Sequence, residues 1–261
     1  MTIRRTPSRS VRASRSVRAS RSVRAAVAAS AGALILSACV LDDRPVTLSD
    51  DAEVTGAVTA VEVPDARSGS VEVVPGTGPG VRIHRTVRYR GEAEPVPGRR
   101  LSQGRLVLTD GCSGDCRTDW RLEVPAGATV KLAGRSGRLS VTGVAAADLT
   151  STSGEVRAEG VTGPLRVRTT SGSVTATGLT GASADAAASS GDVRLEFAKG
   201  PGSVSAETGS GDVTLRLPAA PYRVEASTDS GRRDVSVPTD PAAAARLTAR
   251  SSSGDIRVTA S

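Results

Sequence analysis

The chain has 261 residues, a formal net charge of +7 and only 2% aromatic side chains. So few aromatic residues are poor material for a conventional globular core, but they suit a repeat core of stacked aliphatic side chains. The charge does not indicate a nucleic-acid-binding protein, because residues 1–38 hold eight of the 34 basic side chains and no acid. The remaining 26 basic and 27 acidic side chains nearly cancel, so the basic character belongs to the leader.

Residues 1–38 have the three parts of a secretory signal peptide. A basic region with a six-residue repeat precedes an apolar segment, about residues 25–36, that is too short to span a bilayer. The sequence Leu36-Ser37-Ala38-Cys39 then resembles the lipobox of bacterial lipoproteins. The resemblance implies cleavage before Cys39 and a diacylglycerol on its thiol, whose two acyl chains anchor the protein stably. Sec and twin-arginine export both stay open, as does an uncleaved anchor with a free Cys39.

A short acidic segment follows the lipidation site. Residues 39–51 contain four aspartates and are predicted to form an extended tether of at most about 40 Å. A folded domain over residues 52–261 would therefore lie close to the membrane surface.

Two cysteines remain once Cys39 carries the lipid. Cys112 and Cys116 form an even pair in an oxidising compartment, which predicts a disulfide. A metal site is disfavoured because no histidine lies nearby and two thiols do not complete a set of four ligands. Their spacing, C-x₃-C, also differs from the Cys-X-X-Cys motif of redox proteins.

Residues 52–125 show strand patterns at irregular spacing. The predicted strands cover residues 59–63, 70–74, 81–89, 105–108 and 120–124. Clusters of proline and glycine over residues 75–80 and 95–98 mark turns between them. Irregular elements are expected where a stacked-repeat protein must be capped, so this part is predicted to form the N-terminal cap.

Residues 126–261 repeat with a period of about 20 residues. The mark of each repeat is a Ser-Gly pair, and its glycines are Gly137, Gly154, Gly172, Gly191, Gly211, Gly231 and Gly254. Apolar and polar residues alternate on both sides of each pair, which is the periodicity of a β-strand with one buried face. Each repeat therefore predicts a strand, a Ser-Gly turn, a second strand and a second turn.

Stacking these repeats predicts an all-β fold, a single-stranded parallel β-solenoid of about seven regular coils. One repeat cannot bury a face alone, so each strand is expected to pair with its equivalent in the next coil. The seven glycines are expected to form a turn column with positive φ. The seven serines before them are expected to form a second column, whose hydroxyls bond the turn backbone or one another. A right-handed coil follows from the rule for parallel crossovers.

The Ser-Gly-Asp-Val type of repeat, preceded by the sequence WRLEVPAG at residues 120–127, resembles the DUF4097 family of adhesin-like bacterial envelope proteins. The resemblance covers about residues 55–261. It implies a β-solenoid that is secreted or attached to a membrane, in some cases linked to envelope-stress systems. It supplies no catalytic or binding residue that could be carried over to this chain.

The acids that follow the turn glycines could bind Ca²⁺ if they stacked. They are Glu155, Asp192, Asp212 and Asp255. The Gly-Gly-x-Gly-x-Asp pattern of calcium-binding repeats is absent, and Arg138 and Ser173 interrupt the column. We therefore predict that these acids form exposed ion pairs with the arginines two residues further along the chain.

Three other features have competing interpretations. His84 alternates onto the outer face of its strand and is predicted to be a surface imidazole rather than a general base. Trp120 is either a stacking platform for carbohydrate or a packing residue of the cap. The last coil, residues 253–258, leaves an uncovered sheet edge that either accepts a partner strand or is protected by Arg250, Asp255 and Arg257.

The predicted function is that of a non-catalytic, lipid-anchored, extracytoplasmic protein with an adhesive or interacting surface. No cofactor, metal or nucleic acid is expected, and the partners are the membrane and an envelope protein or glycan. One alternative is an accessory or sensory component of an envelope-stress or antimicrobial-peptide response. Another is a glycan-active β-helix enzyme, which would need clustered acids in a cleft.

Overall fold

The computed structural model describes residues 44–91, 93–112 and 114–261. The predicted signal peptide and the predicted lipidation site at Cys39 lie outside these residues. Within them, no helix is long and apolar enough to cross a membrane.

The described chain is all-β, as predicted, and its elements are 21 strands. In chain order they are β1 Val46–Val54, β2 Ala60–Ala66, β3 Val71–Gly76, β4 Val81–Tyr89, β5 Gly98–Ser102, β6 Arg105–Thr109, β7 Cys116–Pro125, β8 Thr129–Gly134, β9 Leu139–Thr142, β10 Ala146–Ser151, β11 Val156–Glu159, β12 Leu165–Thr169, β13 Val174–Leu179, β14 Ser183–Ser190, β15 Val193–Phe197, β16 Ser203–Ser210, β17 Val213–Leu217, β18 Arg223–Ser230, β19 Arg233–Val235, β20 Arg246–Ser253 and β21 Ile256–Ala260. All five strands predicted within residues 52–125 are present, and the sequence interpretation missed β1 and β5.

The strands form two long sheets whose inner faces enclose the core. Sheet A has the order β1-β4-β7-β3-β9-β11-β13-β15-β17-β21-β19, and sheet B has the order β18-β20-β16-β14-β12-β10-β8-β2-β6-β5. One strand of sheet B, a Ser-Gly turn and the next strand of sheet A make one coil, written here as β8/β9. Equivalent strands of adjacent coils pair in parallel, which confirms the predicted solenoid. The predicted right-handed sense stays a prediction.

The C-terminal coil is not the outermost one. Strands β20 and β21 pair with β16 and β17 on one side and with β18 and β19 on the other. The prediction of an uncovered edge at residues 253–258 is therefore wrong. The chain passes over one position after β17, builds the outer coil β18/β19, and returns through residues 236–245 to fill the gap.

The N-terminal coil is inserted in the same way. Coil β2/β3 lies between β6/β7 and β8/β9, although β6/β7 follows it in the chain. Strands β4 and β1 then extend sheet A in antiparallel order, and β5 extends sheet B. Part of the predicted tether is thus structured, because residues 46–51 belong to β1. Part of the predicted irregular cap is a regular coil.

The core is a file of small aliphatic side chains between the sheets. Inward positions of the central coils, such as Val167, Ala186, Leu195 and Ala206, have no exposed surface. Burying one valine or leucine side chain contributes about 1.5–3 kcal/mol, and each coil adds several. The stack therefore gains stability coil by coil, and no coil has enough apolar surface to stand alone.

The turn glycines stack in a single file that follows the spatial order of the coils. A Cβ on Gly154 would overlap the carbonyl oxygen of Gly137, and one on Gly254 would overlap that of Gly211. Positive φ is confined to four members, Gly191, Gly211, Gly231 and Gly254. The predicted positive φ at Gly137, Gly154 and Gly172 is wrong, and close approach of neighbouring backbones is what requires glycine there.

The hydroxyl groups that bond the turns come from a column the sequence interpretation missed. The serines of the seven Ser-Gly pairs are all exposed. Residues two positions earlier point inward instead. Ser151 Oγ accepts the Gly154 N–H and Thr169 Oγ1 accepts the Gly172 N–H, at 2.9 and 3.0 Å. In later coils Thr208, Thr228 and Ser251 donate to a turn carbonyl of an adjacent coil.

Candidate binding groove

A groove runs along the outer face of sheet B, across the strands rather than along them. Its volume is about 670 Å³, within the range of natural ligand sites. It crosses β6, β2, β8, β10, β12, β14 and β16, which are neighbours in that order. This shape suits a long, narrow ligand better than a compact one.

Small side chains form the floor of the groove. Strand register aligns one outward position per coil, so the gap above these positions is continuous. The floor residues are Ala60, Thr129, Ala146, Pro164, Ser183 and Ser203. Arg105 occupies the same column at one end and Arg246 at the other. The small residues therefore make the groove, and the two arginines limit its length.

Charged side chains of alternating sign form one wall. They stand two residues further along each strand, and in register order they are Glu62, Lys131, Asp148, Arg166 and Asp185. We refer to these five residues as the charged wall. Neighbouring strands lie about 4.8 Å apart, so a charge of the same sign recurs every second coil, at about 9.6 Å.

Ion pairs hold two carboxylates of the charged wall in place. Glu62 lies 3.8 Å from Arg105 and 3.9 Å from Lys131. Asp185 lies 2.6 Å from Arg168, and this hydrogen bond raises the pKa of the Arg168 guanidinium above its ordinary value. Such exposed pairs contribute about 0–1 kcal/mol each. Their main effect is to fix the positions of the side chains along the groove.

The bases around the groove reach further into solvent than the acids. The side chains of Arg105, Lys131 and Arg166 are 67%, 62% and 63% exposed. Those of Glu62 and Asp185 are 23% and 39% exposed. A ligand would therefore meet separated cations first, with shorter carboxylates between them.

The predicted column of acids lies elsewhere, at the Ser-Gly turns. Asp192 accepts the backbone N–H of Asp212, and Asp212 accepts that of Asp255, at 2.9 and 2.8 Å. Asp255 accepts the N–H of Arg232 and pairs with its guanidinium at 3.0 Å, which holds the pKa of Asp255 below its ordinary value. These carboxylates link adjacent coils. Within the described ranges, no three His, Cys, Asp or Glu side chains are placed to hold a metal ion.

Glu155 shows the predicted pairing with arginine. Arg157 lies 2.8 Å and Arg138 lies 3.0 Å from its carboxylate. The hydrogen bond from Arg157 is the largest cause of a lowered pKa at Glu155. The equivalent arginine of the last coil, Arg257, lies 3.9 Å from Asp234 of the adjacent coil instead.

The remaining candidate residues gather at the N-terminal end of the stack. His84 is on the surface, as predicted, and its Nδ1 lies 2.7 Å from Asp51 Oδ1. Trp120 is 3% exposed and lies in the core, so it is a packing residue and no stacking platform. Cys112 and Cys116 form the predicted disulfide at the start of β7.

Fold and groove define a two-sheet β-solenoid with a long surface cleft. The model of the Toastrack DUF4097 family matches residues 112–259. Because the match covers more than half of the chain, the protein belongs to this family.

Solved structures of other bacterial proteins resemble this chain. A "putative adhesin" from Bacteroides fragilis has 11% identity and a TM-score of 0.51 over 82% of this chain and 97% of its own. A "putative adhesin" from Parabacteroides distasonis has 13% identity and a TM-score of 0.45, with the same coverage. A "putative cell adhesion protein" from Clostridium sporogenes has 14% identity and a TM-score of 0.39, over 84% of this chain and 100% of its own. At 11% identity, the Bacteroides fragilis structure shows likeness of fold alone. No curated protein matches this chain in sequence.

Proposed function

We propose that the protein is a non-catalytic envelope component, anchored by lipid at Cys39, that binds an extended ligand along the groove of sheet B. The observation that carries the proposal is the groove itself, a continuous cleft across seven strands. The description of the Bacteroides fragilis structure as a "putative adhesin" supports it. A binding role also suits the chemistry, because the acids of the charged wall alternate with bases instead of converging as a catalytic pair.

Anchoring at Cys39 would set the position of the groove relative to the membrane. Strand β1 starts seven residues after Cys39, so the chain start and the N-terminal end of the stack would lie near the bilayer. Seven extended residues reach at most about 25 Å. The groove would then run outward from the membrane, since it follows the stacking direction.

Binding is tested with a fragment of residues 40–261, which contains every described residue. The fragment is mixed with cell-wall, glycan and membrane fractions of a bacterial envelope and co-sedimented. We expect the wild type to sediment with at least one fraction and the Ala146→Trp variant, whose indole fills the groove, to stay in solution. Thr175→Trp, at an outward position on sheet A, is the matched control. Equal sedimentation of both variants would rule out the groove as the binding surface.

Lipid attachment is tested in cells that express the full chain. Metabolic labelling with a fatty-acid analogue should mark the wild type and leave Cys39→Ser unmarked. Label on both proteins, or on neither, would contradict anchoring at Cys39 and leave the groove assay unaffected.

A further inference from the structure

We propose that the groove binds an acidic peptide in the polyproline II conformation, lying along the stack with a carboxylate at every third residue. This inference rests on the proposed binding function and names its ligand class. It follows from the spacing of the charged wall, from the exposure of its bases and from the width of the floor.

Spacing selects the conformation of the ligand. Bases recur every second coil, at about 9.6 Å. A polyproline II helix presents the same face every three residues, at about 9.3 Å, so over two repeats it drifts by only about 0.6 Å. An extended β-strand repeats a face every 6.8 Å or so and does not match. An α-helix returns to one face after seven residues, at about 10.5 Å, and drifts about three times as fast.

Exposure selects the charge of the ligand. Lys131 and Arg166 are separated by two coils, and Arg105 reaches the other side of Glu62 from Lys131. Arg105 and Lys131 lie 3.8 and 3.9 Å from Glu62, and Arg166 lies 4.0 Å from Asp185. These distances are longer than a hydrogen bond, so the N–H donors of the three exposed cations stay available to a ligand. Carboxylates three residues apart would meet one cation each. A polymer with continuous negative charge would also face Asp148, which has no ion pair within 4 Å among the described side chains, and would be repelled there.

The floor suits the backbone of such a peptide. The small side chains of the floor leave room for the two uncharged residues in each turn of the peptide. Proline can occupy these two positions of the peptide. A polyproline II backbone has no internal hydrogen bonds, so its carbonyl groups need donors. The hydroxyls of Ser183 and Ser203 line the floor and could donate to these carbonyls, whereas the hydroxyl of Thr129 already donates to the Thr59 carbonyl at 3.2 Å.

The test measures fluorescence anisotropy of labelled peptides with the full chain in detergent micelles. The ligand is a peptide of four Glu-Pro-Pro repeats. Its control has the same composition with the glutamates in adjacent pairs, and a Lys-Pro-Pro peptide inverts the charge. We expect the regularly spaced acidic peptide to bind most tightly. Lys131→Glu should weaken binding about tenfold and Arg194→Glu, the same charge change on sheet A, should leave it unchanged.

Equal affinity for the two acidic peptides, or unchanged affinity in Lys131→Glu, would overturn the proposal. So would binding of cell-wall glycan fragments in place of any peptide. Failure here is distinct from failure of the proposed function. If no peptide binds while Ala146→Trp abolishes co-sedimentation with the envelope, the groove is a binding surface for another ligand.

Discussion

The two ends of the stack are closed by different means. At the N-terminal end, antiparallel strands β1, β4 and β5 add layers beyond the last parallel coil. Arg85 is 3% exposed there, and it donates to Asp50 Oδ1 at 2.7 Å and to the Pro95 carbonyl at 3.3 Å. The Cys112–Cys116 disulfide lies beside these strands. The N-terminal end is therefore a cap stabilised by its own strand pairing, by the ion pair of the buried Arg85 and by a disulfide.

The C-terminal end has no added layer. Its outer coil β18/β19 leaves the inward residues Val224, Ala226 and Val235 half-buried. The edge of β18 is protected by Arg233, whose Nη1 donates to the Ala226 carbonyl at 2.9 Å. Edge protection by a charged side chain limits aggregation but adds little core. The outer coil therefore depends on the inserted coil β20/β21. We expect the N-terminal end to be stable through its own contacts, and the C-terminal end to be stable only when the last residues of the chain are folded.

Deleting residues 246–261 is expected to have the largest effect. It removes β20 and β21 from the interior of both sheets, including Leu247 and Ile256, each 1% exposed. We expect the outer coil to unfold with them and the melting temperature to fall far more than after deletion of residues 44–54, which removes only the edge strand β1. Calorimetry compares the two. Equal losses would show that the inserted coil is no more important than an edge.

Two point variants compare the packing of the inserted coil with that of the outer coil at one register position. Leu247 and Val224 are register partners in sheet B, one fully buried and one half-buried. Leu247→Ala should cost about 2–5 kcal/mol of unfolding free energy. Val224→Ala should cost less than about 1 kcal/mol, because its side chain is already part exposed. Denaturant unfolding measures both, and similar values would mean that the outer coil is as well packed as the inner one.

Removing the disulfide should weaken only the N-terminal cap. The Cys112→Ser and Cys116→Ser double variant loses about 2 kcal/mol in the loop-entropy model, since the closed loop is short. Hydrogen exchange should show faster exchange in β7 and unchanged protection in β20. Loss of protection at both ends would contradict independent closure of the two ends.

Acid should loosen the C-terminal end by a smaller amount. Because the Arg232 N–H and guanidinium lower the pKa of Asp255 below its ordinary value, the ionised carboxylate favours the folded state. That contribution is complete above the unfolded pKa and is lost as pH falls through the folded one. Hydrogen exchange of β18 and β19 should therefore accelerate in that range. Asp255→Asn should remove the pH dependence, and persistence of it would assign the effect to another acid.

Local patterns were enough to predict the coils, because alternation and Ser-Gly spacing are properties of one repeat. The order of the coils was not predictable in this way. Every coil offers similar columns of valine, leucine and alanine, so nothing in one repeat specifies its neighbour. Two signals were available. The serines of the last two pairs are 23 residues apart, and Ser68-Gly69 and Ser113-Gly114 mark two further repeats in the irregular part.

The groove was missed for the same reason. The charged wall comes from strands whose register is set by the stack, and alternation of sign appears only when coils are aligned. The inward hydroxyl column did leave a trace, since a serine or threonine stands two residues before the Ser-Gly pair in most late repeats, as in Thr208 and Ser251. Residues 46–51 were predicted to be a solvated tether because the segment contains aspartates. In the structure, one of these aspartates, Asp50, pairs with the buried side chain of Arg85.

Insertion of the final coil has a consequence for biogenesis. A solenoid stacked in chain order could grow vectorially, with each coil docking on the last one while the chain is being synthesised. Here strands β18 and β19 pair with β20 and β21, so the segment 223–235 cannot take its final position until residues 246–260 have been added. The last two coils therefore fold together, late in synthesis. A chain that ends before residue 246 would leave the edges of β16 and β17 unpaired and accessible to quality-control proteases.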